Sequence, residues 1–559
     1  MLSSTDPMDD VNMQLSSAVQ NVGEYTKDMI RALIDKGADV NKKNWGMTAL
    51  MLAVANGGEY IEEIMRTLID AGADVNVQGE DGETALMIAV EYGGKYAEKM
   101  MCVLINSGAD VNKRNLNTMT ALMITIRLGG EHVEAKMRML IGAGADINNQ
   151  NNADKETALM SAIEFGAEYV EMMVRLLINA GADVNKQNLR GNTALMIAIQ
   201  FIDEHVQTIV RLLIGAGADV NKQNNIGGDT ALMDAIIFGN EHAMPIIQML
   251  LTAGADINIP DWNMKTALMY AAHYRRYHGE AMIRALLDKG VDVNNQDNKG
   301  YTALMYATEY GKEHSSTMIR LLTEAGADTN ILNKYGRTAL MINVYNPGEY
   351  AVANINLLIG AGADVNARGR DWLTALMLAL QDNRTNTHAK VHALIEAGAD
   401  VNMVDINGWT TLMHAIRFGG EHSEAMVRLL IDSHVDVNMQ PHSGENAMMF
   451  AVQYGGKHSK TIMDALLEHP DIDLTKKDML GRTALMHTVW DNGNADTLGN
   501  ILIEHMKKKQ NERTHTLLMC AHSKYRFENL SHHVSTNLGE KGIWMMINDF
   551  IREDIGAIS

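Results

Sequence analysis

The sequence is poor in several residue types, and each shortage excludes a class of protein. Its 559 residues include only two cysteines, Cys102 and Cys520, which argues against a disulfide framework or a cysteine-rich zinc site. The formal net charge is -21, whereas a protein that mainly binds nucleic acid or an anionic membrane needs a basic face. No apolar run approaches the ~18 residues of a membrane-spanning helix. We therefore expect neither nucleic acid nor membrane as a partner.

Targeting and catalytic signatures are also missing. The stretch from Met1 to Pro7 has no charged region followed by an apolar core, so a secretory signal is not predicted. The sequence contains no Walker loop, no Gly-x-Ser-x-Gly elbow, no His-Glu-x-x-His and no Cys-x-x-Cys. We expect a non-catalytic monomer in the cytoplasm, without a cofactor or a metal.

The sequence does contain one unit that is repeated along most of its length. The unit is clearest between Thr193 and Asn221, and its opening word, Thr-Ala-Leu-Met, returns at intervals of 36 or 37 residues. Thr410 and Asn446 begin variants of this word. The word itself begins at Thr48, Thr84, Thr120, Thr157, Thr193, Thr230, Thr266, Thr302, Thr338, Thr374 and Thr483. Self-similarity at a fixed period in this range indicates a stacked repeat protein.

Each unit predicts two helices and a long turn. Thr193 is suited to cap a first helix, which is apolar on almost every side and therefore has to lie between neighbours. A second helix has apolar residues at helical spacing from Ile209 to Ile214 and ends at Gly217, where a positive φ is readily adopted. A turn rich in Asn and Gly then leads to the next unit. Because no unit can bury its apolar faces alone, the units must stack.

These residues resemble the ankyrin repeat. The family's word Gly-Ala-Asp-Val-Asn is nearly verbatim at Gly37, Gly72, Gly108, Gly181, Gly217, Gly362 and Gly398. The resemblance covers about residues 11 to 505 and implies an all-α ankyrin-repeat solenoid of about 13–14 repeats, with paired antiparallel helices joined by long turns. Here Ala-Leu-Met replaces the family's Pro-Leu-His. The period also exceeds the usual ~33 residues, and we expect the extra residues to lengthen the connection between the helices.

The ends of the repeated region predict its organisation. Residues 1–43 are interpreted as a lead-in and capping repeat, residues 44–505 as the array, and residues 506–559 as a linker, a degenerate last repeat and a C-terminal cap helix. The linker is expected from Met506 to Arg513 and the cap helix from Ile543 to Ile555. The Ala-Leu-Met sequence and the Asn-rich turns are similar to those of ankyrin arrays in large DNA viruses, protists and intracellular bacteria. This similarity implies the host cytoplasm as one location.

Three positions carry similar residues in successive repeats and could be mistaken for functional sites. A column of Tyr or His lies between the helices, as at His205 and His242, but successive repeats are ~8–10 Å apart, whereas zinc needs each nitrogen at ~2 Å. The Asp-Val-Asn words lack a calcium loop's later ligands, so their side chains are expected to bond backbone groups of their own turn. Outer-helix arginines such as Arg211 follow a Glu by seven residues, which indicates a solvated, partly paired face.

Function is expected where the repeats differ from one another. The resemblance implies that partners bind at the turn tips and on the inner face of the first helix, and the aromatic residues there are concentrated between Trp262 and Phe450. Exposed Trp and Tyr are frequent anchors of protein interfaces, although some of these rings could instead pack between adjacent turns. The candidate partner-binding residues are Trp45, Trp262, Tyr270, Tyr301, Tyr306, Tyr335, Trp372, Trp409 and His414.

Two non-catalytic functions fit these features. The first is a scaffold that binds a partner protein on the concave face and turn tips of the solenoid. The alternative is a substrate adaptor for a ubiquitin ligase recruited through the C-terminal segment, although the Leu-Pro word of F-box-like tails is not found after Ser523. An enzyme is disfavoured because fewer than 80 residues follow Arg482, which is too few for a sizeable active-site domain.

Overall fold

A computed structural model describes residues 7–20, 26–130, 132–201, 204–273, 279–382, 386–488 and 495–509. These residues contain 28 α-helices, which follow one another as 14 consecutive pairs. Within the same ranges there is no β-strand, and only four isolated β-bridges occur in the turns. The predicted all-α array of paired helices is confirmed, and it is consistent with the solenoid that the repeat implies.

The helices fall into two compact units. The N-terminal unit holds the described residues up to Ala271 together with residues 279–291, and the C-terminal unit holds the other described residues. In the first, the helices are α1 Pro7–Gln20, α2 Thr26–Asp35, α3 Ala49–Asn56, α4 Ile61–Asp70, α5 Ala85–Tyr92, α6 Ala97–Asn106, α7 Ala121–Leu128, α8 Val133–Gly142, α9 Ala158–Phe165, α10 Val170–Asn179, α11 Ala194–Gln200, α12 Val206–Gly215, α13 Ala231–Phe238, α14 Ala243–Thr252, most of α15 Ala267–His273, and α16 Gly279–Leu287. In the second, they are α17 Ala303–Tyr310, α18 Ser315–Glu324, α19 Ala339–Asn343, α20 Tyr350–Gly360, α21 Ala375–Gln381, α22 Thr387–Glu396, α23 Thr411–Phe418, α24 Ser423–Asp432, α25 Ala447–Tyr454, α26 Ser459–Leu467, α27 Ala484–His487 and α28 Ala495–Lys509.

The first helix of each pair is built to be enclosed by its neighbours. Its N-cap hydroxyl accepts a hydrogen bond from the amide three residues on, as Thr193 Oγ1 does from Met196 N at 3.3 Å. In α11 all residues from Ala194 to Ile199 are buried. The methionine of the Thr-Ala-Leu-Met word is at most 2% exposed in every copy from Met51 to Met377. Flexible thioether side chains therefore supply the packing between successive first helices.

In six of the repeats, a short 3₁₀ turn in the inter-helix connection takes up extra residues of the long period. Gly94–Tyr96 forms such a turn between α5 and α6. The same element recurs at Ala167–Tyr169, Asn240–His242, Lys312–His314, Gly420–His422 and Gly456–His458. The Tyr or His of the inter-helix column is the last residue of each turn, directly before the second helix. The expected lengthening of this connection is confirmed.

The Asp-Val-Asn words connect neighbouring repeats. Asp219 holds its own turn, since its Oδ1 accepts from Asn221 N at 3.0 Å. Asn185, one repeat earlier, reaches forward: its Nδ2 donates to Gly217 O at 2.9 Å, and its Oδ1 accepts from Asp219 N at 2.7 Å. The prediction that these side chains bond backbone groups of their own turn is right for the Asp and wrong for the Asn. The same two-sided contact recurs at Asn41, Asn76, Asn112, Asn148, Asn221, Asn294, Asn330 and Asn366.

Both ends of the described array are helical further outwards than the sequence suggested. Helix α1 begins at Pro7, inside the expected lead-in, and α28 continues to Lys509, through the first residues of the expected linker. The expected degenerate last repeat and cap helix lie outside the described residues, and so does most of the segment through which a ligase would be recruited. None of the described helices is long and apolar enough to span a membrane.

Candidate functional site

Successive turn tips of the C-terminal unit are hydrogen-bonded to one another. Lys334 N donates to Lys299 O at 2.9 Å, and Arg370 N donates to Gly336 O at 3.1 Å. Gly336 has a φ of 68°, and a Cβ added there would meet Arg370 N at 2.5 Å. Only glycine therefore lets these two tips approach so closely. The linked tips form a continuous rim beside the first helices α17, α19 and α21.

A cleft of about 480 Å³ lies between this rim and the three first helices. We call it the tyrosine cleft, and its tyrosines are Tyr301, Tyr306, Tyr310, Tyr335 and Tyr345. Its charged lining residues are Lys299, Arg337, Arg370 and Asp371. Three of the predicted partner-binding residues, Tyr301, Tyr306 and Tyr335, are thus brought together. Trp372 stands in the chain between two other lining residues, Asp371 and Leu373.

Tyr306 forms the buried floor of the tyrosine cleft. Its side chain is 5% exposed, and its hydroxyl donates to Asp297 Oδ2 at 2.7 Å. The centre of its ring lies 5.3 Å from that of Tyr301 and 6.0 Å from that of Tyr310. Burial raises the pKa of Tyr306 well above its ordinary value, so the hydroxyl keeps its proton and remains a donor. Tyr306 therefore supports the more exposed rings rather than projecting from the surface.

An unusually short first helix places Tyr345 in the tyrosine cleft. Helix α19 has five residues, whereas α17 has eight and α21 has seven. The chain beyond α19 is held by a buried polar network, in which Asn343 Nδ2 donates to Ala351 O at 2.7 Å and Asn354 Nδ2 donates to Ser315 Oγ at 2.9 Å. Because the helix ends early, Tyr345 follows it in irregular structure and lines the cleft.

Three cations line the tyrosine cleft, and they form no ion pair with any carboxylate of the described residues. The Arg337 guanidinium carbon lies 4.7 Å from the centre of the Tyr345 ring, which is a cation–π contact. Lys299 and Arg370 are exposed on the adjoining tips. The cleft therefore concentrates positive charge on a chain whose formal net charge is -21.

Five arginines of the second helices are neutralised by local partners instead. Each of five pairs with a Glu four residues earlier on the same helix, with N–O distances of 2.7 to 3.1 Å. These are Arg66, Arg138, Arg175, Arg284 and Arg428. The sequence suggested a Glu seven residues away, but the spacing of four places the two side chains one turn apart. The expectation of a solvated, paired outer face holds with this change of partner.

The rim carries two consecutive non-glycine residues in the left-handed region, Asp371 with φ 56° and Trp372 with φ 60°. Trp372 occupies the turn position where Gly336 and Gly408 stand in other repeats. Its indole is 46% exposed, and the Arg368 guanidinium lies 5.1 Å from the ring centre. Left-handed non-glycine residues cost on the order of 1–3 kcal/mol each and cluster at functional sites. The strained tip therefore favours a functional role for Trp372.

Trp409 and His414 belong to a separate aromatic cluster in the C-terminal unit. The Trp409 ring centre lies 5.0 Å from that of Phe450 in the next repeat and 5.8 Å from that of His414. His414 is 1% exposed, with Nε2 at 3.2 Å from Asp405 Oδ2 and Nδ1 at 3.2 Å from Gln381 Nε2. For His414, packing between repeats is therefore the role that its burial supports.

The other three predicted residues lie in the N-terminal unit. Trp45 and Trp262 are exposed at turn tips, at 64% and 59%. Trp262 N donates to Gly227 O at 2.8 Å, which continues the linkage of tips in this unit. Tyr270 is half-buried, and its hydroxyl donates to Asp261 Oδ2 at 2.8 Å. The predicted set is thus spread over both units, and the tyrosine cleft holds its densest group.

Comparison with protein families identifies the repeat. The family model described as "Ankyrin repeats (3 copies)" matches overlapping segments that together span residues 15–478. The chain belongs to the ankyrin-repeat family. The matched segments are 15–115, 86–188, 122–224, 169–261, 203–297, 242–333, 268–369, 340–441 and 376–478. Ankyrin repeats are a general protein-binding module and are typically non-catalytic, and no catalytic domain was detected in this chain.

Solved structures also match this ankyrin-repeat chain. One is the ankyrin repeat domain of Bcl-3, a member of the IkappaB protein family, with 24% sequence identity. The match covers 44% of this chain and 99% of that one, with a TM-score of 0.36. No curated protein sequence matches the chain. The family assignment therefore rests on the repeat model.

Two positions of the ankyrin repeat that look independent in the sequence are hydrogen-bonded to each other in the structure. Where the turn residue five before the repeat's Thr is Asp, the residue four after that Thr is Tyr or His, and the two are hydrogen-bonded at 2.7 to 3.2 Å. The pairs are Asp261–Tyr270, Asp297–Tyr306, Asp405–His414 and Asp478–His487. The recurring spacing of nine residues is the sequence signal that would have identified this contact.

Several residues of the tyrosine cleft were missed by sequence reasoning. Tyr310 and Tyr345 stand eight and seven positions after their repeat's Thr. Position eight shares a helix face with the fourth position, so helical spacing could have found Tyr310, whereas Tyr345 lies beyond the end of α19. Arg337 and Arg370 carried no such signal, because other turns of this chain also contain arginines, as at Arg114 and Arg190.

One group of potential metal ligands occurs among the described residues. Ligand atoms of Glu445, Asp478 and His487 lie within 4.8 Å of one another. His487 Nε2 lies 3.0 Å from Asp478 Oδ2, and its Nδ1 accepts from Gln453, so both ring nitrogens are engaged. Arg482 Nε also donates to Asp478 Oδ2, at 2.7 Å. A guanidinium beside the carboxylate and a fully bonded imidazole favour a structural hydrogen-bond network over a metal site.

Proposed function

We propose that this ankyrin-repeat protein is a non-catalytic scaffold that binds a partner protein at the turn tips and first-helix face of the C-terminal unit, with the tyrosine cleft as its centre. The observation that carries the proposal is the clustering of five tyrosines in one cleft. Aromatic residues make up only 5% of the chain, so this concentration stands out from the rest of the surface.

The exposure of the rim supports a macromolecular partner. Tyr335 is 48% exposed and Trp372 is 46% exposed, and both stand on tips that are hydrogen-bonded to their neighbours. Tyr and Trp lose little conformational entropy on binding and are enriched among the residues that dominate binding free energy. A rigid row of tips that presents such rings fits the centre of a protein interface. Exposed Trp45 and Trp262, on widely separated repeats of the N-terminal unit, offer further contact points.

The amino-acid composition supports a proposal for the cellular compartment of this interaction. Scarce cysteine favours a reducing compartment, so we propose that the protein acts in the cytoplasm. The resemblance to arrays of large DNA viruses and intracellular bacteria makes the cytoplasm of a host cell one such place.

Site-specific photo-cross-linking tests the proposed scaffold function. A benzophenone amino acid replaces Tyr335 at the rim or, as a control, Tyr350, which is 40% exposed at the start of the second helix α20. We expect discrete protein adducts in cells from Tyr335 only, and their loss when Trp372→Ala is added. Identical adducts from both positions, or none from Tyr335, would contradict partner binding at the cleft.

A further inference from the structure

The residues that line the tyrosine cleft indicate the chemistry of its ligand. Resting on the proposed scaffold function, we infer that the cleft recognises an extended peptide segment in which an Asp or Glu side chain adjoins an aromatic or aliphatic one. The carboxylate is held by Arg337 and Arg370, and the apolar side chain packs on the tyrosine rings.

The distribution of satisfied and unsatisfied charges supports an acidic ligand. A carboxylate beneath the rings is already engaged, since Asp297 Oδ2 accepts a hydrogen bond from the Tyr306 hydroxyl at 2.7 Å. The cationic side chains are not engaged in this way, since Lys299, Arg337 and Arg370 form no ion pair with any carboxylate of the described residues. Among the described lining residues Asp371 is the one carboxylate beside three cations, so the cleft keeps an excess of positive charge for an incoming carboxylate.

The two arginines stand on adjacent turn tips and line one cleft. A Cβ added at Gly336 would lie 2.8 Å from Arg370 Cβ, so Arg370 begins beside the residue that precedes Arg337. Both side chains line the same cleft. Guanidinium groups bind carboxylates with paired, charge-assisted hydrogen bonds, and they do so more strongly where the surroundings exclude water. The half-buried rings of Tyr301, Tyr310 and Tyr345 supply such surroundings.

The dimensions of the cleft favour an extended segment over a small anion. It is lined by residues of three consecutive repeats, and adjacent helix layers are spaced ~8–10 Å apart. An extended chain advances ~3.3 Å per residue, so about six residues would cross it. A small inorganic anion would occupy the arginines and leave the tyrosine rings without a partner.

Selection of peptides on the intact protein tests this inference. The probe is a phage-displayed library of random peptides of about 12 residues, long enough to cross the cleft. We expect selected peptides to be enriched in Asp and Glu next to an aromatic or aliphatic residue. Their affinity should fall roughly tenfold or more for Arg337→Gln combined with Arg370→Gln, because two charge-assisted contacts are lost.

Matched variants separate a local effect from a loss of folding. Arg138→Gln combined with Arg175→Gln removes the same charge from the paired outer helices, and it should leave peptide affinity unchanged. Thermal unfolding followed by circular dichroism checks that both double variants retain the fold.

The outcomes distinguish this inference from the scaffold proposal. Peptides without acidic residues that lose affinity with Trp372→Ala or Tyr335→Ala would overturn the acidic preference and leave the scaffold proposal standing. Acidic peptides that bind both arginine double variants equally would overturn the assignment to the cleft. If no selected peptide responds to any cleft substitution, both the inference and the scaffold proposal fail.

Discussion

The ammonium of Lys390 lies 3.0 Å from Oδ2 of Asp382, with both side chains almost entirely buried in the C-terminal unit. Lys390 Nζ also donates to Val344 O at 2.8 Å, in the preceding repeat. Lys390 stands in a core column of the second helix that Met318 and Met426 fill in other repeats. Lys390 thus pairs with an Asp of its own repeat and bonds a carbonyl of the preceding repeat, where the array usually uses apolar packing.

Breaking this pair should destabilise the protein strongly. Lys390→Met removes the buried ammonium that faces the Asp382 carboxylate, and removing one partner of a buried pair typically costs ~3–5 kcal/mol. The combined variant with Asp382→Asn should recover much of that loss. The midpoint of urea unfolding, followed by circular dichroism, measures both effects. Arg175→Met breaks an exposed pair and should shift the midpoint little. Equal effects of Lys390→Met and Arg175→Met would contradict the importance of burial.

Asp234 should make the stability of the N-terminal unit depend on pH. Burial, aided by nearby Asp229, raises the pKa of Asp234 to about 8 from 3.8. Between these values the folded protein holds a proton that the unfolded chain has released, so stability falls as pH rises, by up to ~1.4 kcal/mol per pH unit. Asp234→Asn cannot ionise and should flatten the profile from pH 5 to pH 8 (roughly the window set by the two pKa values). Asp70→Asn, at an exposed site, is the control, and a profile unchanged by Asp234→Asn would count against this assignment.

Because the backbone at Trp372 is left-handed, we expect an unusual order of stability between its glycine and alanine variants. Alanine at a positive φ keeps the steric strain and loses the indole contacts, whereas glycine is free of that strain. Trp372→Gly should therefore be more stable than Trp372→Ala by about 1 kcal/mol. Lys155, with φ 54°, stands in the equivalent turn position and should show the same order without affecting partner binding. Finding alanine as stable as glycine at both sites would argue against strain.

The asparagine contacts between repeats predict a modest, additive contribution to stability. Asn185→Ala removes the hydrogen bonds to Gly217 O and from Asp219 N, which should destabilise the protein by about 1–2 kcal/mol. Asn179→Ala, at an exposed helix end, is the control and should have no comparable effect. Hydrogen exchange of the Asp219 amide should accelerate in Asn185→Ala alone. Unchanged exchange there would show that the contact contributes nothing.

Much of the local structure could be predicted because it follows from short-range rules. Thr193 caps its helix and Gly217 ends the next one, as their residue types require. The tyrosine cleft was only partly foreseen. Tyr301, Tyr306 and Tyr335 stand at variable positions of the repeat, but the involvement of Tyr345 depends on the short helix α19 and on a buried Asn network that local pattern does not reveal.

By itself, the sequence determined the family, the pairing of helices and the enclosure of every first helix, because each of these depends on periodicity and on residues within one unit. Only the tertiary structure decided which variable side chains meet. Tyr270, Tyr306 and His414 occupy equivalent positions and each contacts its own repeat's Asp, yet Tyr306 and His414 are buried and Tyr270 is half-buried. Arg337 and Arg370, from different repeats, come to line one cleft. Stacking brings together residues about one period apart, and the charge and burial that result belong to the assembled array rather than to any single repeat.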